Sequence, residues 1–362
     1  MKIAQVAPLY ESVPPKYYGG TERVVSYLTD EQVQQGHEVV LFASGDSVTR
    51  AKLVPVSQRA LRLEGPHVVD PIAHHVRMLE MVHRRVHDFD LVHFHIDYLH
   101  FPLATRFPVA ALTTLHGRLD IPDLIPLFQE FPKANLVSIS NIQRKPLSRA
   151  NWRGTVYHGL PVGLYKFQEE PGTYLAFLGR ISPEKRVDRA IEIARRTGVK
   201  LKIAAKVDAV DREYFQTEIS PLLDDPLLEF VGEIGEAEKN EFLGNALALL
   251  FPIDWPEPFG LVMIEAMACG TPTIAYRNGS VAEVLEHNKT GFVVDNLQDA
   301  VNAVHQIPRL SRRTCREAFE RRFSASRMTS DYLAIYRTLL SNQMKFGGEK
   351  LSFSTVEPPA SD

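Results

Sequence analysis

Segments of strand length and segments of helical period alternate along nearly the whole chain of 362 residues. In the first half, apolar runs such as KIAQVAP and DLVHFHI are separated by amphipathic stretches such as TERVVSYLTDEQVQQG. Alternation of this kind is typical of a parallel sheet whose two faces are covered by helices. The pattern therefore predicts an α/β protein.

A stretch rich in proline and glycine, GLPVGLYKFQEEPG at residues 159–172, interrupts the alternation and has no period. A second alternating set follows, in which TYLAFLGR and ALALLFP have the composition of strands. Each half is therefore expected to form its own doubly wound, Rossmann-like domain, over residues 1–160 and 161–323. Two such domains facing each other would bring the carboxyl ends of their strands, where ligands bind, to a common cleft.

The last strong periodic segment covers about residues 324–343 and predicts a helix with one apolar face. That face consists of Met328, Tyr332, Ile335, Tyr336 and Leu339. The tail over residues 345–362 has no periodic apolar face, so we expect it to be mobile.

Composition disfavours several classes of protein. The chain has 41 basic and 44 acidic residues, a net charge of −3, whereas nucleic-acid-binding proteins carry a basic excess. Its two cysteines, Cys269 and Cys315, make no disulfide framework. No segment resembles a signal peptide or approaches the ~18 apolar residues of a membrane-spanning helix. We therefore expect a cytoplasmic protein without a nucleic-acid partner.

One carboxylate lies in an otherwise apolar helical stretch. Glu265 is the only charged residue of the nine in LVMIEAMAC, and a helix that is apolar all round is buried. A buried carboxylate costs several kcal/mol unless another group pairs with it. Two interpretations remain open: a structural salt bridge, or a carboxylate that accepts hydrogen bonds from ligand hydroxyls.

A second acid lies eight positions earlier, in the loop DWPEPFG. Glu257 is flanked by two prolines that stiffen the loop, and the N–H groups around Phe259, Gly260 and Leu261 then begin the helix. Because a helix N-terminus attracts negative charge, this arrangement suits a polar or anionic ligand.

Two further segments carry groups that suit phosphate. Arg180 stands at the end of the strand TYLAFLGR, and Lys185 lies in the first turn of the helix expected after it, so that both could clamp a diphosphate. Earlier, VPPKYYGGTERVV joins the first strand to the first helix through Gly19 and Gly20. That junction is either a seat for an anion or only a tight turn.

These motifs together resemble those of the family-4 retaining glycosyltransferases of the GT-B fold. E-P-F-G-L-V-x-I-E-A-M-A-x-G-x-P resembles their E-x7-E motif, and G-R-x-x-x-x-K resembles their phosphate-binding arginine and lysine. Y-G-G-x-E and T-L-H-G resemble elements of their N-terminal domain. The resemblance covers about residues 2–340 and implies two Rossmann-like domains facing across a cleft, with the last helix returning to the first domain.

The resemblance also implies an activity. A hexose would pass from a nucleotide-diphosphate sugar, expected to be UDP-linked, to an unidentified acceptor, with retention at the anomeric carbon and without a metal or cofactor. Gly19 and Gly20 are expected to contact the donor, and Arg180 and Lys185 to bind the leaving β-phosphate. Glu257 is expected to bind the sugar hydroxyls, aided by the N–H groups of Phe259, Gly260 and Leu261. Glu265 is expected to bind the ribose, and His116 to lie at the reacting centre. Gly117 stands where many relatives have aspartate, so the hydroxyl contacts of that aspartate are absent.

The acceptor is expected to be a small molecule, a glycan or a lipid-linked glycan. His95 and Asp97 follow a strand at its carboxyl end, so they either line the acceptor pocket or pack as ordinary loop residues. A basic stretch surrounds Trp152, and it is either a solvated helix or a weak membrane-surface contact. Its basic residues are Arg144, Lys145, Arg149 and Arg153.

Several alternatives compete with this activity. The one D-x-D sequence, at residues 88–90, precedes a strand and is interpreted as a turn. His83 and His87 have helical spacing but no third ligand nearby, so we expect no metal site. A dehydrogenase would need G-x-G-x-x-G after the first strand, which is missing. A nucleotide-sugar epimerase or hydrolase of the same fold, and a non-catalytic nucleotide-sugar-binding module, remain as alternatives.

Overall fold

Two parallel β-sheets organise the computed structural model, which describes residues 1–347. The first sheet has seven strands: β1 (Lys2–Val6), β2 (Glu38–Ala43), β3 (Lys52–Pro55), β4 (Leu91–Phe94), β5 (Ala110–Thr114), β6 (Leu136–Ser138) and β7 (Trp152–Thr155). Their spatial order is β3-β2-β1-β4-β5-β6-β7, and every neighbouring pair is parallel.

The second sheet repeats this plan with six strands, all parallel to their neighbours. They are β8 (Tyr174–Arg180), β9 (Leu201–Lys206), β10 (Leu228–Gly232), β11 (Ala246–Phe251), β12 (Thr273–Tyr276) and β13 (Gly291–Val294). Their order is β10-β9-β8-β11-β12-β13. The predicted α/β architecture of two Rossmann-like sheets is thus confirmed.

Helices cover both faces of each sheet. In the first half they are α1 (Gly20–Gln34), α2 (Pro71–Arg84), α3 (Phe101–Ala104) and α4 (Leu124–Glu130). In the second half they are α5 (Val187–Thr197), α6 (Arg212–Tyr214), α7 (Glu236–Gly244), α8 (Leu261–Cys269), α9 (Val281–Val284), α10 (Leu297–Gln306), α11 (Arg312–Arg322) and α12 (Ala325–Gly347). The inner strands are buried on both sides, which is why they appear in the sequence as continuous apolar runs, whereas β3, β7 and β10 at the edges are partly exposed.

Each sheet has one point at which the strand order reverses. In the first sheet it lies between β1 and β4, where Val6 pairs with Phe94, and in the second it lies between β8 and β11. The loops that leave adjacent strands at such a point diverge to opposite faces and open a crevice. These two crevices, one from each half, determine where the site lies.

The chain returns to the first domain through its last helix. Leu160 accepts a hydrogen bond from Ala325 N–H and donates one to the carbonyl of Phe323, and α12 then packs against α1. The predicted apolar face is correct, since Met328, Tyr332, Tyr336 and Leu339 are buried and Ile335 packs at the edge of the same cluster. The helix continues to Gly347, beyond its predicted end, and residues 348–362 of the predicted mobile tail lie outside the described residues.

Three details of the secondary structure correct expectations. The helix expected from Pro183 begins with a 3₁₀ turn over Pro183–Lys185, and α5 starts only at Val187. His83 lies in the last turn of α2 whereas His87 lies in a separate 3₁₀ turn, so the two do not share a helical face. The basic stretch around Trp152 is no helix either, because it combines a 3₁₀ turn at Lys145–Leu147 with strand β7.

Both cysteines are buried, and they remain free thiols. Burial raises the pKa of Cys269 and of Cys315 to about 12, so neither thiol is reactive at neutral pH. Across residues 1–347, the structure contains no helix that combines the length and the apolar character needed to cross a bilayer.

Candidate active site

A cavity of about 700 Å³ lies between the carboxyl ends of the two sheets. All twelve residues that the sequence singled out for a site line it: Gly19, Gly20, His95, Asp97, His116, Arg180, Lys185, Glu257, Phe259, Gly260, Leu261 and Glu265. They come from five strand ends and the loops that follow them, in both halves, and from helix α8. The fold therefore brings together the residues that the motifs named, while their individual roles stay predictions.

An ion pair between Lys185 and Glu257 occupies the C-terminal wall of this cavity. Glu257 also accepts a hydrogen bond of 3.0 Å from the indole N–H of Trp255. The Lys185 ammonium lies 4.9 Å from the centre of the Trp255 ring, so the aromatic face supports the cation as well. The two prolines beside Glu257 and this pair hold the carboxylate in one place before any ligand binds.

The N-terminus of α8 also faces the cavity. Gly260 adopts a positive φ of 78°, and a side chain there would collide with Met263 and Phe251, so only glycine fits. Within the described part of the chain, the N–H groups of Gly260, Leu261 and Val262 have no acceptor. Together with the helix dipole, these N–H groups provide a site for negative charge.

Glu265 is buried, with 3% of its surface exposed, and its Oε1 lies 2.8 Å from Lys239 Nζ. The salt bridge that the sequence left open is therefore present, although it does not exclude binding of a ligand. Oε1 is the oxygen that Lys239 bonds, and no group among residues 1–347 hydrogen-bonds Oε2. Since Glu265 also lines the cavity, its second oxygen is available to a ligand hydroxyl.

Arg180 is surrounded by acids. Its guanidinium donates to Glu184, and the carboxylates of Asp208 and Asp211 lie 3.7 and 3.8 Å away. The side chain is one-third exposed at the mouth of the cavity. Arg180 would therefore bind a phosphate only by exchanging one of these carboxylates for it.

The glycine junction brings the two halves into contact. A side chain on Gly19 would collide with Pro15, and Gly20 lies against Leu261 at the start of α8. The N-termini of α1 and α8 thus meet at the cavity, while an anion at this junction stays a prediction. One turn later, Glu22 is buried in the cavity wall, and desolvation raises the pKa of its carboxyl group to about 7.

Histidine side chains form the N-terminal wall. His116 Nε2 lies 2.9 Å from His95 Nδ1, and His95 Nε2 lies 2.9 Å from Gln5 Oε1. Burial lowers the pKa of both histidines, to about 3 for His116, so both rings are neutral. Because Gln5 Oε1 can only accept, His95 Nε2 donates to it and His95 Nδ1 accepts the proton of His116 Nε2.

A second set of bonds anchors this wall to the last helix. The hydroxyl of Tyr336 lies 2.7 Å from His93 Nδ1 and accepts hydrogen bonds from the amides of Gln5 and Gln32. His93 Nε2 in turn contacts the hydroxyl of Thr114 at 2.8 Å. The side chains behind His116 are therefore a continuous buried network that ends on α12.

Neither ring nitrogen of His116 is free to contact a ligand in the cavity, although the residue was expected at the reacting centre. Its Nε2 is bonded to His95, while its Nδ1 is inaccessible to solvent and has no partner among the described residues. Its ring stacks on that of His158 at 5.3 Å, and His158 lies edge-on to Phe259. A ligand beside His116 would therefore meet its ring edge or backbone rather than a free nitrogen.

Several lining residues were not identified from the sequence. Arg23 on α1 donates to Glu236 on α7 across the cavity, and Lys239 connects Glu236 to Glu265. Glu22 is the glutamate of the Y-G-G-x-E motif, so the sequence could have identified it. Lys239 had no such signal, because its partner Glu265 is on a different helix, 26 residues away.

The remaining metal candidates are accounted for by other contacts. Asp90 of the D-x-D sequence accepts a hydrogen bond from Lys2 N–H at 2.8 Å, and Asp88 pairs with Arg85, as expected for a turn. In the region that the structure describes, no group of three or more histidine, cysteine or acidic residues is arranged to hold a metal ion.

Comparison with protein families finds two matches that follow each other along the chain. Residues 18–157 match the model of "Glycosyltransferase Family 4", and residues 166–321 match that of "Glycosyl transferases group 1". Together they cover more than four fifths of the chain.

Two curated relatives are both named as synthases. N-acetyl-alpha-D-glucosaminyl L-malate synthase of Bacillus anthracis is 24% identical over 394 residues, which covers 94% of this chain and 98% of that protein. Glycogen synthase of Mycobacterium tuberculosis is 33% identical over 168 residues, which covers 44% of this chain and 38% of that enzyme.

Solved structures support the fold. Sucrose-phosphate synthase from Thermosynechococcus elongatus superposes with a TM-score of 0.78 at 18% identity, covering 94% of this chain and all of that one. HepE from Anabaena, solved in complex with UDP and glucose, gives a TM-score of 0.70 at 18% identity with the same coverage. With the consecutive family matches and the two facing sheets, these likenesses identify the chain as a member of the family-4 glycosyltransferases of the GT-B fold.

Proposed function

We propose that the protein is a cytoplasmic, retaining hexosyltransferase that takes its sugar from a UDP-sugar and needs no metal ion. The observation that carries the proposal is the convergence of Lys185, Glu257 and the free N–H groups of α8 on one wall of the cavity. The structural neighbour HepE, solved with UDP and glucose, supports a nucleotide-sugar donor.

Donor binding would use the charges already present. The diphosphate is expected between Lys185 and the N-terminus of α8, where a point charge and a helix dipole both favour an anion. Glu265 would accept hydrogen bonds from the ribose through its free oxygen. Glu257, which pairs with Lys185, would accept hydrogen bonds from the hydroxyls of the transferred hexose.

In the transfer step, the bond between the sugar C1 and the β-phosphate oxygen breaks, and its electron pair leaves on the diphosphate. A bond forms from the acceptor oxygen to C1 on the same face of the ring, and the acceptor's hydroxyl proton passes to the departing diphosphate. Lys185 and the α8 N–H groups would stabilise the charge that develops on the leaving group. Glu257 would stabilise the positive charge that develops on the sugar ring.

The decisive experiment changes one charge in that arrangement. In Glu257→Gln, one acceptor oxygen stays and the charge is lost, so we expect UDP affinity close to wild type by isothermal titration. Transfer should fall ~10²-fold, about 2.7 kcal/mol of transition-state stabilisation. Asp254→Asn is a matched control, because Asp254 lies in the same loop but pairs with Arg186 and Arg189 outside the cavity. Equal losses of UDP affinity and rate would place Glu257 on the nucleotide instead.

Metal independence and stereochemistry have their own tests. Turnover should persist in excess EDTA; a loss that Mg²⁺ or Mn²⁺ restores would contradict a metal-free mechanism. NMR of the first-formed product should show the anomeric configuration of the donor. An inverted product would exclude the retaining mechanism.

A further inference from the structure

The N-terminal half of the cavity exposes tyrosine rings beside the point where the strand order reverses. Tyr10 follows β1 and Tyr98 follows β4, and each is 40% exposed while lining the cavity. Since β1 and β4 are adjacent strands in register, the loops that carry these rings leave the sheet side by side. Exposed aromatic rings in a concave site are unusual for ordinary packing and offer apolar faces to a ligand.

The environment of Tyr10 holds its ring in place. The ring of His75 lies behind it, with 5.1 Å between centroids. His75 is itself fixed at both nitrogens, because Nδ1 lies 2.8 Å from the carbonyl of Pro71 and Nε2 accepts from Leu9 N–H at 3.2 Å. Burial lowers the pKa of His75, so this support carries no charge at neutral pH.

The cations near this half of the cavity are already neutralised. Arg62 pairs with Glu11 at 2.8 Å, and Arg118 pairs with Asp120 through two bonds of 2.8 and 2.9 Å. Arg23 is committed to Glu236 on the other domain, as described above. Of these arginines only Arg23 and Arg62 line the cavity, and an anionic acceptor could bind one of them only by displacing its carboxylate.

One carboxylate, by contrast, remains available there. Asp97 is exposed, lines the cavity and forms no ion pair within residues 1–347. A carboxylate accepts hydrogen bonds from hydroxyl groups but repels phosphates and carboxylic acids. The charge and the aromatic rings therefore favour the same class of ligand.

Resting on the glycosyltransferase function proposed above, we propose that the acceptor is an uncharged saccharide or glycoside. A pyranose ring presents apolar C–H faces, which pack on aromatic rings such as Tyr98 and Tyr10, and hydroxyl groups at its rim, which donate to Asp97. Acids and sugar phosphates would meet uncompensated negative charge and bind poorly.

The test measures binding to the full-length chain saturated with UDP, by saturation-transfer difference NMR. The neutral probes are maltose, cellobiose and methyl α-glucoside, and the anionic probes are L-malate and glucose 6-phosphate. We expect binding of at least one neutral probe and none of the anionic ones. Tyr98→Ala should weaken that binding about 3- to 10-fold, as expected for the loss of one aromatic contact, and Tyr98→Phe should retain it.

Phe230→Ala is a matched control, because Phe230 is an equally exposed aromatic residue outside the cavity, and this variant should bind the neutral probe as wild type does. Stronger binding of an anionic probe, or no binding of any neutral probe, overturns the inference. Binding that is unchanged in both Tyr98→Ala and Tyr10→Ala also overturns it, since the sugar then lies in the donor subsite. If UDP itself fails to bind, the proposed function fails instead, so the two failures are distinguishable.

Discussion

The two halves of the cavity occupy equivalent positions in equivalent sheets, yet their chemistry differs. The C-terminal half presents ion pairs, Lys185 with Glu257 and Lys239 with Glu265, beside the N-terminus of a helix. The N-terminal half presents neutral histidines and tyrosines. The strand order determines where each wall lies, while the side chains determine what it can bind.

The difference also concerns how the two walls are held together. Ion pairs at the C-terminal wall can exchange a partner for a ligand without rearranging the backbone. The N-terminal wall is a chain of single hydrogen bonds in which each group satisfies the next, from Gln5 through His95 to His116. A substitution in the C-terminal wall should therefore affect mainly rate and ligand affinity, and a substitution in the hydrogen-bonded network of the N-terminal wall should affect mainly stability.

Lys185→Ala should have the largest effect. It removes the cation expected to stabilise the leaving diphosphate, so transfer should fall about 10²- to 10³-fold in steady-state assays. Arg186→Ala is its neighbour in sequence and a matched control, since Arg186 pairs with Asp188 and Asp254 outside the cavity and should keep near-normal turnover. Near-normal kcat/KM in Lys185→Ala would mean that the diphosphate is held elsewhere.

Glu265→Leu should act mainly on donor affinity. It removes the oxygen expected to bind the ribose and leaves Lys239 with only the more distant Glu236, 3.7 Å away. We expect UDP to bind roughly 10-fold more weakly by calorimetry, which corresponds to the loss of about 1.4 kcal/mol from one charged hydrogen bond. Unchanged UDP affinity would make Glu265 a purely structural partner of Lys239.

Tyr336→Phe should act on stability instead. It deprives His93, Gln5 and Gln32 of a shared buried partner, which should cost about 1–3 kcal/mol in free energy of unfolding. Tyr332→Phe is the matched comparison, because among residues 1–347 the Tyr332 hydroxyl makes one hydrogen bond, to Thr114, so its loss should cost less. Equal destabilisation by the two variants in chemical denaturation would contradict a network centred on Tyr336.

Glu22→Gln should change how stability depends on pH. The pKa of Glu22 is raised to about 7 by desolvation, so the folded protein loses stability as pH rises from about 4.5 through 7 and the buried carboxyl ionises. The glutamine variant lacks this ionisation, and its advantage over wild type should grow across that window, by up to about 3 kcal/mol. Parallel melting curves for both proteins from pH 5 to pH 8 would contradict the raised pKa.

The C-terminal wall was predictable from the sequence because its groups are close in sequence. Glu257, the helix start at Gly260 and Glu265 lie in one segment, and a charge alone in an apolar helix is visible without a structure. The pairing of Lys185 with Glu257 was not predictable, since 72 residues separate them. The motif identified both residues but not that they neutralise each other.

The N-terminal wall was much less predictable. His95 and His116 follow strands and were candidates, but Gln5 looks like an ordinary residue of an apolar strand, and only the order of the strands brings the three together. Strands β3, β7 and β13 were missed for a related reason. All three lie at the edge of a sheet and pair on one side only.

The return of α12 makes the first half of the molecule discontinuous in sequence. Tyr332 and Tyr336, which satisfy buried groups of the first sheet, arrive only after the whole second domain has been synthesised. A chimera that exchanges residues 1–160 between two relatives would therefore separate this sheet from the hydroxyls it needs. The exchangeable unit is residues 1–160 together with 325–347, and its last part is synthesised only after the second domain.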